Sequence, residues 1–538
     1  MAVSLLCTSP EVLRAIVLYA VGATPLGPPH EWYSFVMCCQ TLRRQLDTPA
    51  MHTLLFAQKF HVPADALHLL PTHAKPELTR RFLALKLFRC GAQCLDDPAS
   101  FTDALWLAYV ILRAEEPRQM NVAQLLWAGL PNLLLLFIKR RLHDGAEENH
   151  GWPLCNETNS LVIALLWLLS SECGSAGRAR IGANNLSFAA SVRAETPATR
   201  EEVMERIRPY VLAAFRYPLT SLQEWCFASN PAFISAKSKT LFPSTKEVVY
   251  FGVRTVAVPS APIYSILCYF TRLDTVVPMF PVHLSAAARS GAGPRPEDVE
   301  HFINECRTRF ESCDQGQAAL EQHLSSDDSL TRWLNHPYSP GSLTGRWKGS
   351  AIVPFINEYR HWLDDPEAPE TMDTFCRHPL YLTLEEHYYY APTPTLSPGG
   401  YAKEMTIDAW LPAAWAERDG GIEVCDDSGS TRFYETGVRN TVDTPRPDNI
   451  VDVIVTGQTD DPYATAWGAF KIFGRVRVSD GLIVLRRESV AGLGTTLLRG
   501  YMSSSQNFAG RYRAIDRGCG AAEWEAAFSL CRTGEWYD

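Results

Sequence analysis

Residues 470–487 read Phe-Lys-Ile-Phe-Gly-Arg-Val-Arg-Val-Ser-Asp-Gly-Leu-Ile-Val-Leu-Arg-Arg. Phe470, Ile472, Val476 and Val478 fall on one face of an extended chain, and Lys471, Arg475 and Arg477 on the other. That is the period of a half-buried strand. Asp480-Gly481 then separates two such runs, the strongest short-range signal for a β-hairpin. The same alternation recurs upstream. Leu380, Leu382 and Leu384 alternate with Tyr381, Thr383 and Glu385, and Val451, Val453 and Val455 with Ile450, Asp452 and Ile454. Asp427-Ser428-Gly429 is a further turn signal. After Gly341 there are about eight to ten short strand candidates, which points to an antiparallel barrel or sandwich.

Before Gly341 the period is helical. The spacing predicts three short helices over residues 9–60. Ser9 is placed as an N-cap and Pro10 as the first helical residue. The second helix carries Trp32, Phe35, Val36, Cys39, Leu42 and Leu46 on one face. Helical patterning continues from Lys75 to Glu172. It includes the apolar runs Leu125–Ile138, interrupted at Pro131-Asn132, and Leu161–Leu169. Residues 175–340 are mixed, with a candidate linker at 286–298 and a helix expected from Pro296 to Phe310. The fold class is thus α+β. It divides into a three-helix module (5–60), a mainly helical region (61–340), an antiparallel β-barrel or sandwich (341–515), and a C-terminal tail with a short helix (516–538).

Composition bounds the function. The chain has 538 residues, 46% hydrophobic and 20% charged, with net charge −9. The balance gives no basic footprint for nucleic acid. The apolar runs fall short of the roughly 20 residues of a membrane span, and Ala15–Ala23 lacks the basic leader of a signal peptide. The sequons at Asn156 and Asn185 are therefore expected to be chance matches. Fifteen scattered cysteines suit free thiols in a reducing compartment, cytoplasm or nucleus. No phosphate loop, zinc-protease pair or nucleophile elbow is present. Cys90 and Cys94 lack a matching second pair for a metal. Glu385, Glu386 and His387 are expected on an exposed strand face. No catalytic residue, cofactor or metal is expected.

Ser9-Pro10-Glu11-Val12-Leu13-x-x-Ile16, followed by Val36-x-Cys38-Cys39-Gln-Thr-Leu42-Arg43-Arg44, resembles an F-box. That likeness implies docking on a Skp-type adaptor, and through it on a cullin, with Pro10, Glu11, Leu13, Ile16, Val36, Cys39 and Leu42 at the interface. The order of features resembles F-box proteins of basidiomycete fungi. In these a β domain opens on Gly-x-Trp, here Gly345-Arg-Trp347, and closes on Gly-Arg-Tyr-Arg, here Gly510–Arg513. Gly-x-Trp is also similar to the start of lipocalin-like barrels. There the Trp plugs one end and an Arg from the last strand covers it, which implies a cation–π contact of Trp347 with Arg511 or Arg513. Arg475, Arg477 and Arg499 would then either be a solvated strand face or grip a carboxylate of a protein target. The implied function is a substrate receptor of a ubiquitin ligase that does no chemistry itself. The alternative is a small-molecule binder with a helical scaffold.

Overall fold

The computed structural model describes residues 9–61, 67–113, 119–173, 199–217, 219, 245–274, 276, 278–291, 293–308, 338–365, 367–368, 375–390, 411, 414–425, 431–437, 450–478, 481–492, 494–504, 506–515 and 525–533. Helices α1 (Pro10–Gly22), α2 (His30–Cys38), α3 (Gln40–Leu46) and α4 (Pro49–Lys59) open the chain. Ser9 caps α1 as expected, its Oγ accepting from Val12 N at 3.4 Å, with Pro10 in the first turn. Four helices stand where three were expected, because the second breaks at Cys39, whose backbone is extended (φ −161°, ψ 164°). Ser34 Oγ and Cys38 Sγ donate to the carbonyls of His30 and Ser34. Such back-bonding competes with the helix ladder near its end.

Helices α5 (Leu70–Arg89), α6 (Pro98–Arg113), α7 (Gln119–Trp127), α8 (Leu130–Arg140) and α9 (Glu157–Cys173) follow. The two apolar runs are buried helices: Leu133, Leu134 and Ile138 of α8 and Leu161–Leu165 of α9 lie in the core. No single described helix is long and apolar enough to cross a membrane. Met120–Trp127 and Leu130–Arg140 reach that composition only as a pair bent by 56°. The sequon asparagine Asn156 accepts from Asn159 N at 2.8 Å at the start of α9.

The mixed region holds α10 (Arg200–Leu212), α11 (Ala261–Leu273), α12 (Val282–Arg289), α13 (Pro296–Glu305) and a hairpin of β1 (Thr245–Val249) and β2 (Val253–Ala257). The hairpin turns at Phe251, a non-glycine residue at φ 46°. Its N–H is held by Glu77 Oε1 at 3.0 Å, and its ring packs on Phe56. The candidate linker is partly helical, since α12 runs to Arg289 and α13 begins at Pro296.

The C-terminal strands are β3 (Gly345–Pro354), β4 (Phe375–Tyr390), β5 (Ala414–Arg418), β6 (Gly421–Cys425), β7 (Thr431–Thr436), β8 (Ile450–Thr459), β9 (Phe470–Arg477), β10 (Leu482–Ser489), β11 (Thr495–Ser504), β12 (Asn507–Ile515) and β13 (Glu525–Arg532). α14 (Ile356–Asp364) and α15 (Asp461–Trp467) lie between strands. Strands pair antiparallel in the order β3-β13-β12-β11-β10-β9-β8-β4, and β4 closes on β3, giving an eight-stranded barrel. The tail assignment for 516–538 is thus corrected: Glu525–Arg532 forms β13, hydrogen-bonded to β12 and β3. The turn Asp427–Gly429 and Asp480 lie outside the described residues.

The predicted alternation holds. Leu380, Leu382, Leu384, Val453, Val455, Ile472 and Val476 point into the barrel, among Trp347, Tyr388, Phe508 and Phe528. At 16 residues, β4 outlasts the barrel. Its end pairs with β7, which starts a three-stranded extension β7-β6-β5. Ile422, Val424 and Tyr434 of this extension pack on the outward residues Ile454, Phe473, Val484 and Leu497. Another stretch of wall faces the helices: Ala509 and Ala527 belong to the same core as α10 and α11.

Candidate functional site

The N-terminal helices build a surface from two kinds of residue. Leu13, Val17 and Val21 of α1, Trp32 and Val36 of α2, and Leu42 and Leu46 of α3 are buried. Trp32 Nε1 donates to Leu46 O at 3.3 Å, which ties α2 to α3. Asp47 joins three helices by accepting from His52 Nε2 and Lys75 Nζ, both at 2.7 Å. The Lys75 ammonium, with His52 behind it, holds the Asp47 carboxyl below its usual range. The loop between α1 and α2 is fastened to the helical layer. Gly27 N donates to Gln124 Oε1 at 2.7 Å, while Gln124 Nε2 donates to Pro25 O and Lys59 O, each at 3.0 Å. Lys59 Nζ caps Thr24 O from a fully buried position.

The other kind of residue is apolar and exposed. Val12, Ile16 and Tyr19 are 51%, 41% and 86% exposed, and their spacing of four and three places them along one line of α1. Tyr33 and Met37 form a second such pair on α2. Beside them a groove of about 230 Å³ runs between α2 and α5. Its lining includes Trp32, Val36, Leu55, Leu78 and Phe82, with Arg43 and Lys75 among its polar residues.

The expected docking residues therefore separate. Leu13, Val36 and Leu42 are core, because a helix of this module presents its most apolar stripe inward. Pro10, Glu11, Ile16 and Cys39 are exposed. Of the seven expected docking residues, Ile16 is the one that joins an exposed apolar stripe. Val12, Tyr19, Tyr33 and Met37 were missed. Periodicity identifies a stripe, but it does not say which of two stripes faces the protein.

The barrel arginines are already engaged. Arg475 Nε and Nη2 hold Asp452 at 2.9 and 3.0 Å, and Tyr434 Oη donates to the same carboxylate at 2.7 Å. Arg499 Nη2 pairs with Glu525 at 3.2 Å, both groups buried. Arg477 is half-buried and has its own partner. The picture of free arginines gripping a target carboxylate is corrected accordingly. Trp347 is core as expected, with Nε1 donating to Leu343 O at 2.8 Å. Its expected partners are not there. Arg511 points outward with Ala509 and donates to the carbonyls of Tyr210, Val211 and Tyr217 at the end of α10. Arg513, two residues on, shares that outward face. The arginine at the Trp347 end is Arg532 of β13, in register with Trp347, whose Nη2 donates to Thr344 O at 2.8 Å. Gly345 sits there at φ +133°, where a Cβ would meet the Arg532 guanidinium at 3.3 Å.

Glu386 and His387 are not on an exposed face; only Glu385 is. Glu386 is fully buried inside the barrel. It accepts five hydrogen bonds, from Tyr338 Oη, Gly341 N, Leu343 N, Thr344 N and Thr344 Oγ1. Burial raises its pKa against the pull of those donors. This closes the end of the barrel with the 338–344 segment. His387 lies on the other face between Thr436 Oγ1 and Thr456 Oγ1, 2.8 Å from each. Burial pushes it down to about 4. Each group is spent on holding strands and the 338–344 segment together.

No family model, no curated protein and no solved structure matches the chain.

Proposed function

We propose that this chain is a recruiting protein that acts by binding, as the substrate receptor of a cullin-based ubiquitin ligase in the cytoplasm or nucleus. Its N-terminal helices would dock a Skp-type adaptor, and its β domain would present a protein target. The observation that carries the reading is the exposed stripe Val12–Ile16–Tyr19 on α1, with Tyr33 and Met37 on α2. Apolar side chains set in line on a surface helix favour a partner that covers them. The docking face is placed on this stripe rather than on Leu13, Val36 and Leu42. The target face is placed away from Arg475 and Arg499. A small apolar ligand inside the barrel is disfavoured by Trp347, Tyr388, Phe508 and Phe528, which fill its interior.

The test is capture of a Skp-type adaptor by the wild-type chain and by an Ile16→Asp/Tyr19→Asp variant. Both positions are exposed, so the variant keeps the wild-type circular dichroism. Capture by the wild type and its loss in the variant supports the reading. Equal capture by both moves the face elsewhere, and no capture by either overturns it.

A further inference from the structure

The two ends of the barrel differ. Aromatic side chains and the Glu386 latch fill one end. At the other, small and polar side chains mix with Phe470, Val353 and Tyr512. Ala351 is in register with His378, Tyr512 with Ala526, and Arg487 with Thr496, which in turn pairs with Ala514. Arg487 is 1% exposed, with its guanidinium carbon 3.2 Å from the centroid of Phe470. Its Nη1 lies 3.4 Å from His378 Nε2. A guanidinium has no acceptor, so this imidazole nitrogen accepts and the proton of the neutral ring sits on Nδ1. His378 stacks on Tyr512 at 6.4 Å, and the exposed His283 of α12 lies 6.1 Å from it at the rim.

Among the described residues no carboxylate pairs with Arg487. Its Nε has no hydrogen-bond partner, nor has the buried Oγ1 of Thr496 across the β10–β11 ladder. Tyr512 and His378 meet part of the guanidinium's donor set, but no anion neutralises it, and a buried cation without a counter-charge beside an idle hydroxyl is costly. It is the arrangement that an anion completes. Burial pushes Arg487 down to about 10 and His378 well below its usual value, so His378 adds no competing charge at neutral pH.

We propose that this end of the barrel binds a small oxyanion, a carboxylate or a phosphate, held by Arg487 and Thr496 and reached past His283. The alanines 351, 514 and 526 are the small side chains around it. The site is independent of the docking reading above.

The test is calorimetric titration of the full chain, freed of oxyanions, with inorganic phosphate and separately with acetate at constant ionic strength. Wild type is compared with Arg487→Met and Thr496→Val. The expected result is one-to-one binding of one probe, weakened at least about tenfold by Arg487→Met and less by Thr496→Val. That probe should also raise the melting temperature of the wild type and leave that of Arg487→Met unchanged. Binding of phosphate alone identifies a phosphorylated ligand, and binding of acetate alone a carboxylate. Should Arg487→Met not fold, Thr496→Val carries the comparison, since its hydroxyl holds nothing in the free protein. No binding of either anion by the wild type overturns the proposal, as does equal binding by wild type and every variant that folds.

Discussion

A carboxylate inside a β-barrel is costly unless donors surround it, and Glu386 is surrounded by Tyr338, Gly341, Leu343 and Thr344. Glu386→Gln would set an NH2 group against backbone N–H donors. The expected loss is about 2–4 kcal/mol of stability, read as a lower midpoint in urea at unchanged slope. Its neighbour His387 makes acid stability a second readout. Its folded pKa lies near 4 against an ordinary value of 6.5. Below pH 6.5 the unfolded chain therefore takes up a proton that the folded chain refuses. Stability present above pH 6.5 is lost as pH falls toward 4, by on the order of 2 kcal/mol from this group. The slope of stability against pH in that window should be shallower in His387→Gln. From sequence the pair read as an exposed strand face, because three adjacent polar residues give no sign that a loop folds over the barrel end to meet one of them.

Elements whose two faces differ in polarity were legible before the fold was known. β8 and β9 each present apolar side chains inward and charged groups such as Asp452 and Arg475 outward, and that contrast is written locally in the chain. β13 was not legible for the converse reason. Ala526, Phe528 and Leu530 face the barrel core, while Ala527, Ser529 and Cys531 on the other face are also buried. With both faces covered, alternation vanishes. A chain ending at Ile515 should lose near-ultraviolet circular dichroism from the barrel, because β3 and β12 would both face water with open ladders. Among connections, the α1–α2 loop is held by the Gln124 amide on Gly27 and Pro25 and by Lys59 Nζ on Thr24 O. Gln124→Ala should cost about 2–3 kcal/mol, since it strands Gly27 N together with the carbonyls of Pro25 and Lys59. Hydrogen exchange at Gly27 would show it first. The docking stripe was only half legible: the spacing marks Leu13 and Ile16 as apolar alike, and only the packing of α1 on α4 and α2 sends one inward and the other out.

At the scale of the molecule, the outer wall of the barrel packs into the helical core, while the barrel interior is a core of its own. Arg511 joins β12 to the end of α10, Arg377 joins β4 to Asp274 and Leu273 O at 3.0 and 2.8 Å, and Arg113 reaches Ser503 O at 2.9 Å. Truncating Arg511 to Ala removes a buried cation together with the donors for three carbonyls. The expected cost is about 3–5 kcal/mol, and helix and barrel signals should still melt together. Separate transitions by far-ultraviolet circular dichroism and tryptophan fluorescence would show instead that the halves are independent. The closure of β3 on β13 has a further consequence for the chain as it is made. β3 and β4 leave the ribosome early and can pair at once. The other edge of β3 has to wait for Glu525–Arg532 to be translated, which at about 5–20 residues per second takes on the order of ten seconds. Throughout that interval a nascent chain shows an unpaired strand edge to its neighbours on the same message, and holding that edge apart until synthesis catches up becomes work for chaperones.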